Sequence, residues 1–176
     1  MKTTMKIELK NVKFAEHMSE ETNAFTADII INGINAGYAK NDGRGGSTDC
    51  RPHFEHKELF AQAEAFCLTL PPIQYPAAHG GEAFEWKMDM EAMVDQLFEN
   101  WLKEKEQKKL EKQMEKAIIY TNADKYGNMA KISWKGKTLA QLPLPVLQAA
   151  YDKYKAQLKP NQKIINTNLE KLGVKL

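Results

Sequence analysis

The sequence predicts an α+β protein, because strand-like segments precede helix-like segments twice along the chain. Apolar residues alternate near the N-terminus, at the period of a half-buried strand. They recur at three- and four-residue spacing over residues 56–70 and 89–102, the period of an amphipathic helix. After residue 117, strands and then a helix follow again. This order favours antiparallel sheets with separate helices over a parallel doubly wound sheet.

An antiparallel three-stranded sheet is predicted at the N-terminus. Residues 6–14 alternate imperfectly and indicate a strand with a bulge near Lys10–Asn11. Residues 25–40 indicate a hairpin, because Asn32–Gly33 supplies the positive φ angles that a two-residue turn requires. The side chains expected on one face of its first strand are Phe25, Ala27, Ile29 and Ile31.

Two helices are predicted next. The first covers 56–70 and stops at Pro71–Pro72. The second is capped by Asp89 and extends to about Lys116, although its charged second half has only two apolar positions. We expect this half to form a solvated bridge, with a coiled-coil contact as the alternative.

The C-terminal part predicts a small antiparallel sheet with one helix. Strands are expected over 117–122 and 129–134, around the turn residues 123–128. Prolines open a helix over 144–158, and a last strand is expected within 162–168. The domain prediction is an N-terminal α+β lobe (1–88), a long bridging helix (89–116) and a basic α+β lobe (117–176). A chain of 176 residues is also short enough to form one domain overall.

Composition indicates a folded protein of the cytoplasm. Apolar residues make up 43% of the chain, far above the range of disordered sequences. Cys50 and Cys67 are too few for a disulfide framework. The N-terminus has no apolar segment typical of a signal peptide, and no run approaches the roughly 18 apolar residues of a membrane span.

The net charge of +2 conceals a strong asymmetry. Residues 1–100 contain 9 Lys and Arg against 16 Asp and Glu, a balance of −7, whereas 101–176 contain 16 against 7, a balance of +9. Either an acidic lobe docks onto a basic one, or the basic lobe binds nucleic acid or an acidic partner. Only two of the 25 basic residues are arginine, which disfavours sequence-specific DNA recognition.

The stretch 41–56 concentrates the chain's unusual residues, and we predict an anion site there. Consecutive glycines let backbone N–H groups converge on an anion, and arginine adds planar double donors. A helix beginning near His56 would direct its free N–H groups at the same place. Positive φ angles in a tight crossover are the structural alternative for the glycines. The predicted ligand-binding residues are Gly43, Arg44, Gly45, Gly46, Ser47 and Arg51.

The same stretch offers a possible zinc site. Asp49, Cys50, His53 and His56 have side chains that zinc accepts, with three of them spaced Cys-x2-His-x2-His. A metal-dependent hydrolase is therefore one alternative function. No second ligand pair follows to complete the shell, however, and Cys67 falls on an apolar helix face.

A second candidate contact lies in the basic lobe. Lys131, Lys135 and Lys137 surround Trp134, an arrangement that can stack a base and bind its phosphate backbone. A nucleic-acid-binding module is thus the other alternative function. An ordinary core position for Trp134, with lysines on the solvent face, is the structural alternative.

No catalytic signature accompanies these candidates. The chain lacks the Gly-x-Ser-x-Gly, Walker A, Rossmann glycine and His-Glu-x-x-His patterns. We therefore expect a non-catalytic cytosolic binding protein without a cofactor. It would bind a phosphorylated small molecule or nucleotide, or mask a host protein, in the manner of a phage or mobile-element accessory protein. The long helix leaves homo-oligomerisation open.

Overall fold

The computed structural model describes residues 4–77, 82–122 and 129–176. It confirms the α+β class, with three antiparallel sheets and three α-helices among these residues. The strands are β1 (Ile7–Phe14), β2 (Phe25–Ile31), β3 (Ile34–Asn41), β4 (Asp49–Pro52), β5 (Ile73–Tyr75), β6 (Phe84–Trp86), β7 (Ala117–Asn122), β8 (Met129–Ser133) and β9 (Gln162–Ile164). The helices are α1 (Lys57–Cys67), α2 (Met90–Met114) and α3 (Leu144–Gln157). No described helix is long and apolar enough to cross a bilayer.

The chain divides into two units, Met1–Leu102 and Lys103–Leu176, here called unit 1 and unit 2. The boundary lies inside α2, so each unit includes part of this helix. The prediction from sequence was instead a separate helix between two lobes. The turn predicted over 123–128 lies outside the described residues.

The first sheet contains β1 to β4 in sequence order, all antiparallel. The predicted hairpin is confirmed, because Asn32 and Gly33 adopt φ angles of 50° and 86° between the paired Ile31 and Ile34. The bulge in β1 is also confirmed, since the register shifts after Lys10. The sheet nevertheless has a fourth strand, where the sequence analysis predicts only three.

The fourth strand can pair with β3 because a glycine of β3 allows the two backbones to come close. Gly37 pairs with Pro52, and a Cβ at Gly37 would collide with the carbonyl oxygen of Arg51. Asp and Pro are poor strand formers, so the sequence of β4 gives no strand signal of its own. Residues 41–56 are therefore not one crossover from strand to helix. They form a hairpin loop, then β4, then a short 3-10 turn that leads into α1.

The core of unit 1 lies between this sheet and helices α1 and α2. All four residues predicted for the inner face of β2 are at most 4% exposed. Helix α1 contributes Phe60, Ala63 and Cys67, and α2 contributes a stripe at four-residue spacing. The ring of Phe25 stacks on that of Phe98, with centroids 4.0 Å apart and planes 12° apart. The α2 side chains buried in this core are Met90, Val94 and Phe98.

Unit 2 is built around β7, the central strand of the order β8–β7–β9. Successive residues of β7 enter two different apolar clusters, so the strand is covered on both faces. Ile118 packs with residues of α3 and the C-terminal segment, whereas Ile119 packs with Met114 and Ala117. Leu110 also packs against this second cluster. The two apolar positions in the charged half of α2, Leu110 and Met114, thus pack within unit 2. The coiled-coil alternative stays a prediction.

Candidate functional site

The glycine-rich loop between β3 and β4 is fixed by the amide of Asn41, which is 9% exposed. Its Oδ1 accepts hydrogen bonds from the Gly43 N–H (2.8 Å) and the Thr22 hydroxyl (2.9 Å). Its Nδ2 donates to the Gly46 carbonyl and to the Thr48 hydroxyl, both at 3.1 Å. One side chain therefore holds both ends of the loop.

Gly43 is required by its conformation and by its neighbours. Its φ angle is 81°, and a Cβ there would collide with the carbonyl oxygen of Met18. Its carbonyl oxygen accepts N–H groups from Glu20, Glu21 and Thr22. Gly43 thus has the structural role given above as the alternative: it adopts a positive φ angle in a tight connection.

The described N–H contacts of the loop point inward. Besides the Gly43 N–H, the Gly45 N–H donates to the Thr22 hydroxyl (3.3 Å), and the Thr48 N–H donates to Glu91 Oε1 (2.9 Å). The helix start that the loop meets is that of α2, not α1 as the sequence analysis expected. Carboxylates line that helix start, so the side of the loop that faces α2 favours cations over anions.

The two arginines of the predicted anion site lie on different segments. Arg44 belongs to the hairpin loop. The pKa of Asp42 in this loop is lowered mainly by the hydrogen bond and charge of Lys40, and to a smaller extent by the charge of Arg44. Arg51 belongs to β4, and its Nε lies 2.7 Å from Asp49 Oδ2 on the exposed strand face. Anion binding by Gly43, Arg44, Gly45, Gly46, Ser47 and Arg51 stays a prediction.

A cleft of about 450 Å³ opens beside the loop in unit 1. We call it the acidic cleft, because four carboxylates from three elements line it and no lysine or arginine is among its described lining residues. The loop and β4 supply one wall, α1 supplies Glu64, and the start of α2 supplies the other wall. Its lining residues are Ser47, Thr48, Asp49, Cys50, Glu64, Asp89, Met90 and Glu91.

Thr48 connects the two walls of the acidic cleft. It is 4% exposed; its N–H donates to Glu91, and its hydroxyl donates to Asp95 Oδ1 at 2.5 Å. Burial raises the pKa of Asp95, the hydrogen bond from Thr48 lowers it, and the charges of Glu91 and Glu99 raise it further. The charged form of Asp95 is thus disfavoured at this position, both by burial and by the two acidic side chains next to it.

The start of α2 accommodates some of this negative charge. Asp89 caps the helix as predicted, because its Oδ1 accepts the N–H of Ala92 at 2.8 Å. The helix N-terminus also stabilises Glu91 in its first turn. Among the described residues, no lysine or arginine lies within ion-pair distance of Glu64, Glu91 or Asp95. Of the four cleft carboxylates, Asp49 is paired with Arg51, whereas Glu64, Asp89 and Glu91 have no lysine or arginine partner among the described ion pairs.

The residues of the predicted zinc site are spread along β4 and beyond its end. Asp49 and Cys50 are in β4, His53 follows it, and His56 ends the 3-10 turn before α1. Cys50 packs against the core of unit 1, while Asp49 pairs with Arg51. In the described part of the chain, no group of three His, Cys, Asp or Glu side chains is arranged to hold a metal ion.

Cys50 is not poised for nucleophilic chemistry. Burial raises the pKa of its thiol to about 12, and the charges of Asp95 and Glu91 act in the same direction. Nucleophilic cysteines need the opposite environment, one that stabilises the thiolate near neutral pH. The cleft thus lacks an activated nucleophile at its one cysteine.

The basic hairpin of unit 2 separates its lysines from its tryptophan. Lys131, Lys135 and Lys137 are exposed, whereas Trp134 is half-buried and packs against the cluster around Ile118. The ring is therefore engaged in the core of unit 2. Nucleic-acid binding by these four residues stays a prediction.

The acidic cleft was missed from the sequence because its walls are far apart in the chain. Thr48 and Asp95 are 47 positions apart, and no local pattern connects them. One signal was available: Glu91, Asp95 and Glu99 repeat at four-residue spacing on α2. Like charges at this spacing destabilise a helix, so such a stripe indicates a use other than stability.

Comparison with known proteins adds no functional assignment. A scan of protein-family models, a search of curated proteins and a search of solved structures each found no match.

Proposed function

We propose that this protein is a non-catalytic binding protein, and that unit 1 receives a basic segment of a partner protein in its acidic cleft. The observation that carries the proposal is the convergence of Glu64, Asp89 and Glu91 around one opening, beside Asp49, which Arg51 pairs. No lysine or arginine is among the described lining residues. A cationic side chain of the partner would be attracted there.

The choice of a polypeptide partner follows from the shape and chemistry of the cleft. A volume of about 450 Å³ accommodates one or two side chains of a partner. The lining combines carboxylates with the hydroxyl group of Ser47, which suits guanidinium and ammonium donors. The half-buried thiol of Cys50, with its pKa raised to about 12, supports binding without covalent chemistry.

The proposal is tested with a synthetic peptide of alternating arginine and serine, titrated into the full chain by calorimetry. We expect Glu64→Gln and Glu91→Gln each to raise the Kd by about two- to fivefold, as expected for one solvated charge pair. Added salt should weaken binding because the contacts are ionic. Glu91→Gln keeps an oxygen that can accept the Thr48 N–H, so it should leave the fold intact.

Glu58→Gln is the matched control, since Glu58 is exposed on the same helix as Glu64 but does not line the cleft. Its Kd should equal that of the wild type. A peptide that does not bind, or one that responds to Glu58→Gln as strongly as to Glu64→Gln, would refute the proposed function.

A further inference from the structure

The two-stranded sheet of β5 and β6 in unit 1 carries apolar side chains on one face only. The register pairs Ile73 with Trp86 and Tyr75 with Phe84. Directly opposite residues, and residues two apart in a strand, lie on the same face of a sheet. These four side chains therefore share one face, which we call the aromatic face. Gln74 and Glu85 lie on the other face, joined by a 2.7 Å hydrogen bond.

The aromatic face is largely uncovered. Tyr75 is 43% exposed, and Phe84 and Trp86 are each 53% exposed. The rings of Tyr75 and Phe84 stack with centroids 4.8 Å apart, so they form one continuous surface. Within the described residues of unit 1, none of the four side chains belongs to the apolar core cluster. Clustered exposed aromatic rings are typical of contact surfaces, where Trp and Tyr contribute much of the binding energy.

The charge around this face identifies what would cover it. Residues 82–91, which contain β6 and the start of α2, include one lysine and four acidic residues. Strand β6 ends at Trp86, and three residues later Asp89 lines the acidic cleft. Three residues span at most about 11 Å, so the aromatic face and the cleft lie within reach of one short peptide. Aromatic rings beside carboxylates suit arginine, which stacks on the ring while its charge is balanced.

We infer that the aromatic face is the apolar half of a docking surface for a basic, amphipathic segment of another protein. Its arginines would occupy the acidic cleft, while its aliphatic side chains and further arginines would cover Trp86, Phe84 and Tyr75. This inference rests on the proposed function, because it names the second half of the same contact. It adds an apolar requirement that charge attraction alone does not impose.

The test compares three peptides of equal length on the full chain, in which arginine alternates with leucine, arginine with serine, or glutamate with leucine. Wild-type protein should bind the arginine–leucine peptide at least about tenfold more tightly than the arginine–serine peptide. Trp86→Ala and Phe84→Ala should each remove most of that difference, and they should weaken the arginine–serine peptide much less than the arginine–leucine peptide. Trp86→Phe should retain most of the affinity because it keeps a ring.

Two matched controls separate the aromatic face from general stickiness. Gln74→Ala changes the opposite face of the same two strands, and Phe54→Ala removes a ring that is 83% exposed elsewhere in unit 1. Both should bind the arginine–leucine peptide as the wild type does. Far-UV circular dichroism and the urea midpoint of each variant establish that the fold is intact.

The outcomes distinguish this inference from the proposed function. Equal Kd values for the two arginine peptides overturn the inference, and so does an unchanged Kd of the arginine–leucine peptide in Trp86→Ala. In either case the cleft proposal stands if Glu91→Gln still weakens binding of the arginine–serine peptide. Tight binding of the glutamate–leucine peptide overturns the basic partner. Sedimentation that shows a dimer dissociated by Trp86→Ala overturns it as well, since a second copy would then cover the face.

Discussion

Thr48→Val is the sharpest perturbation of the network that shapes the acidic cleft. Valine has nearly the shape of threonine, so the substitution removes one hydroxyl from a residue that is 4% exposed. The backbone N–H that donates to Glu91 is retained. What is lost is the hydrogen bond to Asp95 (2.5 Å) and the acceptor for Asn41 Nδ2 (3.1 Å).

The expected loss follows from these two contacts. A hydrogen bond to a charged group contributes about 1.5–3 kcal/mol, and a neutral one about 0.5–1.5 kcal/mol. Because Asn41 Nδ2 keeps the Gly46 carbonyl as an acceptor, the loss of its hydrogen bond to Thr48 should cost a free energy at the lower end of the neutral range. We expect Thr48→Val to reduce the free energy of unfolding of unit 1 by about 2–4 kcal/mol. The pKa of Asp95 should rise further, because the hydrogen bond that lowers it is gone.

Urea unfolding measured by tryptophan fluorescence tests this prediction. A background with Trp86→Phe and Trp134→Phe leaves Trp101, whose ring lies 5.7 Å from that of Phe98 in the core of unit 1. Thr69→Val is the matched control, because that hydroxyl is exposed and donates only to the Phe66 carbonyl. The control should change stability by no more than about 0.5 kcal/mol. Equal losses in the two variants would refute the idea that Thr48 holds the cleft walls together.

Two further predictions concern single residues. Burial raises the pKa of Asp95 in the folded state above its value in the unfolded chain. The free energy of unfolding therefore falls as the pH rises from the unfolded-state pKa through the raised folded-state pKa. Asp95→Asn should therefore be more stable than the wild type at neutral pH, with no advantage below about pH 4; urea midpoints across pH measure this, and a gain that persists in acid would contradict it. Asn166→Ala should destabilise unit 2 by about 2–4 kcal/mol, because its amide accepts the Ile119 N–H (2.6 Å) and donates to two backbone carbonyls. Hydrogen exchange of the Ile119 amide measures this loss of stability. Asn168→Ala is the control, because it removes one contact to the backbone of Met114. An equal loss of stability in the two variants would disprove the prediction.

Local patterns predicted much of the fold because each depends on neighbours in the chain. Asn32–Gly33 can supply two positive φ angles wherever it stands, so the hairpin followed from two residues. The four-residue spacing of Val94 and Phe98 predicted the buried face of α2 for the same reason. Helix α3 also agrees with the prediction of a helix opened by prolines.

The candidate site was not predictable in this way. The prediction from sequence assigned the two arginines to an anion site, and Cys50 and His53 to an alternative zinc site, because the members of each set are close in the chain. Pairing with β3 turned that stretch into a strand, and strand alternation directs Cys50 and Arg51 to opposite faces. The cation-attracting character of the site came from Glu91 and its neighbours on α2, which are about 40 positions away.

The sequence by itself determined the elements whose signal lies within a few residues: the β2–β3 turn, the apolar faces of the helices and the charge of each half of the chain. Tertiary structure alone decided which polar groups meet. It brought Thr48 to Glu91 and Asp95, and it placed Asn166 against the backbone of Met114 and Ala117. The physical reason is that buried polar groups must find partners wherever the packed chain offers them, and sequence distance does not restrict that choice.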